Sequence, residues 1–172
     1  MVTKHVAVVS YDEAWANNFI DIRNDIQEVM GDLALRIEHV GSTSVRGLSA
    51  KPVVDIDVVI KDYSVFDEVV TKLRSIGYHH EGNLGISGRE AFRYEGKEHL
   101  LKHHLYVCTE YSKELKRHLA FRDYLQSHDE AREEYSRIKE EGARLYPYEI
   151  DKYIEFKSPF IEEIYTKIGL CD

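Results

Sequence analysis

The segment from Val53 to Ile60 constrains the fold most, because it is an apolar run interrupted by two acids. It reads Val-Val-Asp-Ile-Asp-Val-Val-Ile, which predicts a β-strand. Side chains alternate along a strand, so Asp55 and Asp57 point to one face and the apolar residues between and beside them point to the other. Two neighbouring carboxylates repel unless a cation lies between them. The pattern therefore indicates either a site for a divalent cation (Mg²⁺ or Mn²⁺) or a solvated edge strand.

A turn rich in glycine and serine precedes this strand. Gly41 allows close approach of the backbone, and Ser42 and Ser44 offer hydroxyl groups at what we predict to be the start of a helical turn at residues 44–46. Lys51 supplies a positive charge between the turn and the strand. A Gly-Ser pair alone is usually only a turn. Followed by the two acids, it predicts a phosphate-binding segment beside a metal site.

The first two-thirds of the chain alternate between helix and strand patterns. Apolar residues after Asp12 recur at helical spacing up to Val29, and a second helical pattern runs from Phe66 to Ile76. Strands are predicted at residues 35–40, 53–60, 90–94 and 103–107, the last two forming a hairpin, while residues 82–88 form a loop. These patterns predict an α+β fold with a small mixed sheet.

The last third reads as helical. Ser127 and Glu130 have the spacing of a capping box, which predicts that a helix starts there, and Pro159 predicts a kink or a restart in the final helix. We therefore predict one domain over residues 1–172, with a sheet core over about 1–109 and a helical region over about 110–172 that flanks it.

Composition excludes several classes of protein. The formal net charge of −8 disfavours non-specific binding to nucleic acid or to anionic membranes. No apolar run is long enough to cross a bilayer, and residues 1–10 do not read as a signal peptide. Cys108 and Cys171 form no metal-ligand pattern, which predicts free thiols in a reducing cytoplasm.

The turn and the strand together resemble the nucleotidyltransferase superfamily of the DNA polymerase β type. Val40-Gly41-Ser42 and Asp55-Ile56-Asp57-Val58 match the two parts of its signature. The whole run from His39 to Val58 resembles the GrpB family, which is assigned to that fold and also occurs fused to dephospho-CoA kinase. The resemblance extends along the chain to Tyr11, Trp15, Phe92-Arg93, residues 103–107, Tyr153 and Lys157.

The resemblance implies a third carboxylate on a later strand, and the strand at 103–107 contains none. His104 stands where a ligand could face Asp55 and Asp57, so we predict it as the third metal ligand, against the alternative of a histidine that is hydrogen-bonded within the sheet. Glu90 and Glu95 remain candidates for the missing acid.

Three further cations are predicted to bind phosphate. Arg93 would contact a triphosphate, or alternatively form an ion pair with Asp55 or Asp57. Lys139 and Lys157 would reach the sheet from the C-terminal helices, or alternatively remain solvated.

Two functions are compatible with these residues. In the first, a metal-dependent nucleotidyltransferase uses Asp55 and Asp57 as catalytic metal ligands. It transfers a nucleotidyl group from a nucleoside triphosphate to a small-molecule or protein acceptor. In the second, the fold binds a nucleotide or another phosphate ligand without turnover, which the missing third carboxylate favours. The acidic balance disfavours a long nucleic acid as the acceptor.

Overall fold

The computed structural model describes residues 5–170, which form one mixed β-sheet and five α-helices. The strands are β1 (Arg36–Val40), β2 (Val54–Ile60), β3 (Tyr78–Gly82), β4 (Glu90–Tyr94) and β5 (His103–Thr109). The helices are α1 (Ala14–Met30), α2 (Phe66–Arg74), α3 (Lys113–Ser127), α4 (Asp129–Leu145) and α5 (Ile150–Lys167). The predicted α+β class, with a small mixed sheet and a helical last third, is confirmed.

The strand that carries the two acids lies inside the sheet. The strand order is β1-β2-β5-β4-β3, and β2 pairs antiparallel with β1 and parallel with β5. In the parallel register Asp55 lies opposite His104, and Asp57 lies opposite Tyr106. An edge strand in contact with solvent is therefore excluded as the explanation for the acids. We call the side of the sheet that bears Asp55 and Asp57 the carboxylate face.

The other side of the sheet is covered by the first two helices. Ile56 and its apolar neighbours on β2 are fully buried there against Ile22 and Ile26 of α1 and Leu73 of α2. Complete burial of such side chains contributes about 1.5–3 kcal/mol each. This core fixes which side of β2 faces inwards, and so fixes the direction of the two carboxylates.

The C-terminal helices form a second core with the segment that follows the glycine-serine turn. Val45 and Leu48 of that segment are buried against side chains of α3, α4 and α5, among them Leu125, Tyr135 and Phe160. Packing of the segment against three helices brings the helical third of the chain over the turn.

A polar anchor ties α3 to β1. The guanidinium of Arg122 donates to Glu38 over 2.8 Å and to the carbonyl of His39 over 3.1 Å. The helical region is thereby held at the edge of the carboxylate face.

The edge strand β3 was not predicted, because its sequence, Tyr-His-His-Glu-Gly, lacks alternation of apolar and polar residues. Burial of Tyr78 explains its position. The tyrosine is fully buried, and its hydroxyl is hydrogen-bonded to Nε2 of the buried His103 over 2.7 Å. Pairing with β4 and the buried Tyr78 therefore hold a strand that local propensity does not favour.

In the helical third, the prediction that Ser127 caps a helix is wrong, and of the two effects predicted for Pro159 the restart is excluded. Ser127 does not cap α4, since it is the last residue of α3 and its hydroxyl donates to the carbonyl of Asp123 over 2.9 Å. Pro159 does not interrupt α5, which runs continuously from Ile150 to Lys167. Burial of Phe160 and Ile164 beyond the proline maintains the helix despite the missing N–H.

Cys108 is a buried free thiol, and Cys171 lies outside the described residues. None of the helices within residues 5–170 has the length and apolar character needed to cross a membrane.

Candidate functional site

A cleft of about 480 Å³ opens between the carboxylate face and the C-terminal helices. Residues from the glycine-serine turn, from β2 and β5 and from α3, α4 and α5 line it together. They are Val40, Gly41, Ser42, Ala50, Lys51, Val53, Asp55, Arg89, His104, Tyr106, His118, Lys139, Tyr153, Ile154 and Lys157. Six of the predicted site residues (Gly41, Ser42, Lys51, His104, Lys139 and Lys157) thus meet at Asp55.

Each of the two carboxylates is hydrogen-bonded to a histidine. Nδ1 of His104 on β5 lies 2.9 Å from Oδ1 of Asp55, and Nδ1 of His118 on α3 lies 2.6 Å from Oδ2 of Asp57. The side chain of Asp57 is only 1% exposed, and its Oδ1 has no hydrogen-bond partner within residues 5–170. A buried carboxylate oxygen without a partner is costly, so it marks a position where a ligand would be stabilising.

The pKa of His118, the hydrogen-bonding partner of Asp57, is also shifted. Burial lowers the pKa of His118, but the hydrogen bond to Asp57 and the negative charges of Asp57 and Glu114 outweigh burial and raise the pKa above its ordinary value. Nε2 of His118 lies 3.7 Å from Glu114. His118 was not recognised in the sequence, because its role depends on contact with a strand far away in the chain.

Gly41 brings the backbone directly against Asp55. It has φ of 72°, and a Cβ added there would lie 2.2 Å from Oδ2 of Asp55, which no real Cβ tolerates. The helical turn that follows runs from Ser42 to Ser44, so the predicted start at residues 44–46 is wrong. The hydroxyl of Ser44 donates to the carbonyl of Gly41, and Ser44 does not line the cleft. Ser44 therefore shapes the turn, and the prediction that it contacts phosphate is not supported.

His39, which is uncharged, supports the turn through a hydrogen bond and a stacking contact. His39 stacks on Phe19 with ring centroids 4.7 Å apart, and its Nε2 lies 2.9 Å from the hydroxyl of Thr43. Burial lowers the pKa of His39 to about 4, against the attraction of Asp55. The imidazole is therefore uncharged at neutral pH and acts as a fixed hydrogen-bonding and stacking group.

Three lysines converge on the side of the cleft formed by α4 and α5. The Nζ atoms of Lys51 and Lys157 lie 5.5 and 5.0 Å from the ring centroid of Tyr153, and Nζ of Lys139 lies 4.8 Å from that of Tyr135. These distances are typical of cation–π contacts. The hydroxyl of Tyr153 is buried and has no hydrogen-bond partner within residues 5–170.

The close approach of α4 and α5 places Lys139 and Lys157 near each other. A Cβ at Gly142 would lie 2.9 Å from Phe156 and 3.1 Å from Tyr153, so only glycine permits the two helices to pack at this distance. Ser49 anchors α4 to the loop that precedes β2, since its hydroxyl donates to Glu140 over 2.7 Å and its N–H donates to the hydroxyl of Ser136 over 3.0 Å.

Burial and mutual repulsion make two of the lysines easier to deprotonate. Burial, followed by the charge of Lys51, lowers the pKa of Lys157 to about 8 against the attraction of Asp55. Lys139 is 2% exposed, and burial followed by the charge of Lys157 lowers its pKa well below the ordinary value. A bound polyanion would stabilise the charged form of both lysines.

The predicted set of three metal ligands is not formed. Across residues 5–170, no group of three histidine, cysteine, aspartate or glutamate side chains is arranged to hold a metal ion. His104 is hydrogen-bonded to Asp55 instead, which agrees with the alternative considered for it. The other candidates lie elsewhere: Glu90 is 3.2 Å from His80, Glu95 is 90% exposed, and neither lines the cleft.

Arginine does contribute to the cleft, although not the arginine that was predicted. Arg93 lies outside the cleft, 4.0 Å from Glu95. Its predicted contact with a triphosphate in the cleft, or with Asp55 or Asp57, is therefore not supported. Arg89 lines the cleft, with its guanidinium 4.1 Å from the ring centroid of Tyr106 and a buried Nε that has no partner within the described residues. Nothing in the sequence distinguishes Arg89, which follows a glycine-rich loop.

The fold is that of the nucleotidyltransferases. Over 77% of this chain and 40% of that one, it superposes on Cid1 in complex with the UTP analog UMPNPP with a TM-score of 0.52 and 7% identity. At that identity the likeness shows the fold alone. A crystal structure of the conserved protein GrpB from Enterococcus faecalis superposes with a TM-score of 0.80 and 31% identity, covering 95% of this chain and 99% of that one.

The chain belongs to the GrpB family, since residues 5–167 match the family model described as GrpB protein. It is 30% identical to the glutamate-rich protein GrpB of Alkalihalophilus pseudofirmus over 95% of both chains. It is also 30% identical to the UPF0157 protein YqkA of Bacillus subtilis, where the match covers 92% of this chain but only 46% of YqkA.

Replacement of Gly41 by alanine tests the contact between the turn and Asp55. We expect Gly41→Ala to lower the free energy of unfolding by about 1–3 kcal/mol more than Gly31→Ala, because overpacking adds to the backbone strain. Gly31 is a matched control, since it also has a positive φ but has no atoms within 4 Å of an added Cβ. Urea denaturation measures stability, and the NMR shifts of the His104 ring report displacement of Asp55. Equal losses in both variants, with the ring of His104 unperturbed, would contradict the contact.

Proposed function

We propose that this protein is a nucleotidyltransferase that transfers a nucleotidyl group from a nucleoside triphosphate to an acceptor hydroxyl. One observation carries the proposal. Asp55 and three lysines from separate parts of the chain line the same cleft on a nucleotidyltransferase fold. A metal–polyphosphate substrate requires carboxylates together with a group of cations. Asp55 lines the cleft, and Asp57 is buried two positions further along the same face of β2.

The lysines would bind the polyphosphate. Burial removes water from the charged groups of Lys139 and Lys157, which costs free energy. An anion bound between them would offset this desolvation cost and their mutual repulsion. Lys51 lies beside the same tyrosine ring as Lys157, and the buried hydroxyl of Tyr153 can donate to the same phosphate oxygens. The backbone at Gly41 and Ser42 borders the cleft, where its N–H groups can contact phosphate.

The carboxylates fit a divalent cation in part. Each commits one oxygen to a histidine, which leaves Oδ1 of Asp57, buried and without a described partner, and Oδ2 of Asp55 beside Gly41. Asp55 and Asp57 would therefore hold Mg²⁺ or Mn²⁺, with phosphate and water oxygens as the other ligands. The cation, when bound, would neutralise charge on the phosphate oxygens.

The remaining requirement is to orient the reacting groups. The acceptor oxygen forms a bond to the α-phosphorus, and the bond from the α-phosphorus to the bridging oxygen of the β-phosphate breaks. Pyrophosphate leaves with that electron pair, and the hydroxyl proton passes to water. Arg89, whose guanidinium lies over the ring of Tyr106 and whose buried Nε has no described partner, would donate to a phosphate oxygen from the β5 side of the cleft.

A nucleotide-binding module without turnover is the second candidate. The observation that favours it is the register of β5, which places His104 and Tyr106 opposite the two aspartates and no carboxylate. The two candidates share the same binding site and differ only in whether pyrophosphate is released. For both we propose a cytoplasmic protein whose ligands are small molecules or proteins.

Binding of a non-hydrolysable nucleoside triphosphate with Mg²⁺, measured by calorimetry, tests both candidates. We expect Lys139→Met and Lys157→Met each to weaken binding about tenfold or more, because each removes a charge-assisted contact. Lys152→Met is the matched control, since Lys152 is exposed on α5 and pairs with Glu149 at 2.7 Å. Asp55→Asn/Asp57→Asn should abolish the dependence of affinity on Mg²⁺.

Release of pyrophosphate over a panel of acceptors then separates the candidates. Release by the wild type that is lost in the double aspartate variant supports the transferase, and binding without release supports the module. Absence of binding, or binding equal in wild type and in all lysine variants, would refute both.

Binding should also be linked to protons. The pKa of Lys157 is about 8 in the free protein, and a bound triphosphate raises it. Below about pH 8 Lys157 is protonated in both states. Above it the complex holds the additional proton, so binding takes up as much as about one proton from this lysine and affinity falls as pH rises.

Calorimetry at pH 8.5 in two buffers of different ionisation enthalpy measures this uptake. It should decrease in Lys157→Met and stay unchanged in Lys152→Met. Uptake that is zero, or that does not change in Lys157→Met, would contradict a phosphate contact at Lys157.

A further inference from the structure

The carboxylate face extends beyond the cleft, across the other half of the sheet. Strand β4 pairs antiparallel with β5, with Ala91 opposite Tyr106, and residues directly opposite each other share a face. Arg93, two positions after Ala91, is therefore on the same side of the sheet as His104. His79 lies opposite Arg93 and continues this side onto β3. A polar row thus leads from Asp55 through His104 to Arg93 and His79.

This half of the carboxylate face contains a second groove. Helix α3 contacts β1 and β5, while the side chains of Arg93 on β4 and His79 on β3 are exposed, which leaves this end of the face accessible. The groove there has a volume of about 550 Å³ and shares two residues with the cleft, His104 and Tyr106. A ligand in the groove would thus adjoin a nucleotide in the cleft at these two side chains.

The charges of the groove differ from those of the protein as a whole. Arg93 and Lys102 line it against a single lining acid, Glu81, whereas the chain carries a net charge of −8. Arg93 is 57% exposed, and its contact with the 90% exposed Glu95 at 4.0 Å is a surface pair that holds it only weakly. Both cations are therefore accessible to an anionic ligand, which an otherwise acidic surface would repel.

We propose that this groove is the acceptor site, and that the acceptor is a small hydroxyl compound with a phosphate or carboxylate group. The inference rests on the proposed transferase function and specifies its second substrate. Arg93 and Lys102 bind the anionic group, and the hydroxyl lies at the junction formed by His104 and Tyr106. There its oxygen attacks the α-phosphorus of the nucleotide, pyrophosphate leaves, and the hydroxyl proton passes to water.

The test is an amide NMR titration of the full chain with the cleft first saturated by a non-hydrolysable nucleoside triphosphate and Mg²⁺. The three probes are glycerol 3-phosphate, glycerate and uncharged glycerol. Comparison of the first two distinguishes recognition of phosphate from recognition of carboxylate, and glycerol shows the binding that hydroxyl groups alone produce. We expect the two anions, but not glycerol, to shift the amides of Arg93 and Lys102. Arg93→Gln/Lys102→Gln should weaken that binding about tenfold or more and leave the affinity for the nucleotide analogue unchanged. Lys61→Gln/Arg74→Gln, which removes two exposed cations elsewhere, is the charge-matched control.

Three results would overturn the acceptor site. They are equal binding of glycerol and the anions, anion shifts outside the groove only, and equal weakening in the control variant. Failure of the nucleotide analogue to bind is a separate result that refutes the proposed function. In that event the same probes are titrated without the analogue. Amide shifts confined to the part of the cleft around Lys51, Lys139 and Lys157 would then also overturn the groove as an anion site.

Discussion

The parallel pairing of β2 with β5 in the interior of the sheet is the constraint on which the site depends. It leaves Asp55 and Asp57 no route to bulk solvent along a sheet edge, and it places His104 and Tyr106 directly opposite them. The apolar core under the other side of β2 prevents the strand from turning over, because a slip of one residue would place the carboxylates in that core and remove Val54, Ile56 and Val58 from it. The two acids are therefore held on one face by the same packing that stabilises the domain.

The second half of the site comes from elements that are distant in the chain. α4 and α5 pack closely at Gly142, and this contact brings Lys139 and Lys157 into the same cleft as Asp55. Their lowered pKa values are the physical consequence of burying cations together. A metal–triphosphate complex is complementary to this pattern of charge, since it presents a cation to the carboxylates and anions to the lysines.

The sequence predicted the parts of this site that lie in one continuous stretch. Alternation along residues 53–60 and the glycine before them predicted the strand and the turn, and the structure brings Gly41, Ser42 and Asp55 together. The partners that come from elsewhere were harder to predict. Only tertiary packing brings His118 to Asp57 and Arg89 into the cleft, and nothing in their local sequence distinguishes them from surface residues.

The errors have the same origin. Arg93 was expected in the cleft because it lies on a strand near the acids, but the strand order places it beyond β5, in the neighbouring groove. The edge strand β3 was missed because its sequence lacks alternation, and long-range contacts hold it instead: the pairing with β4 and the contact of Tyr78 with His103. His104 faces Asp55 as predicted from its position on the strand, yet as a hydrogen-bonding partner and not as part of a three-ligand group.

A crystal structure of the complex with Mg²⁺ and a non-hydrolysable nucleoside triphosphate tests the central claim most directly. The account predicts phosphate oxygens within hydrogen-bonding distance of Nζ of Lys139 and Lys157, and the cation between the phosphates and the carboxylates of Asp55 and Asp57. A nucleotide bound outside this cleft, or a triphosphate in the cleft that contacts neither lysine, would contradict it.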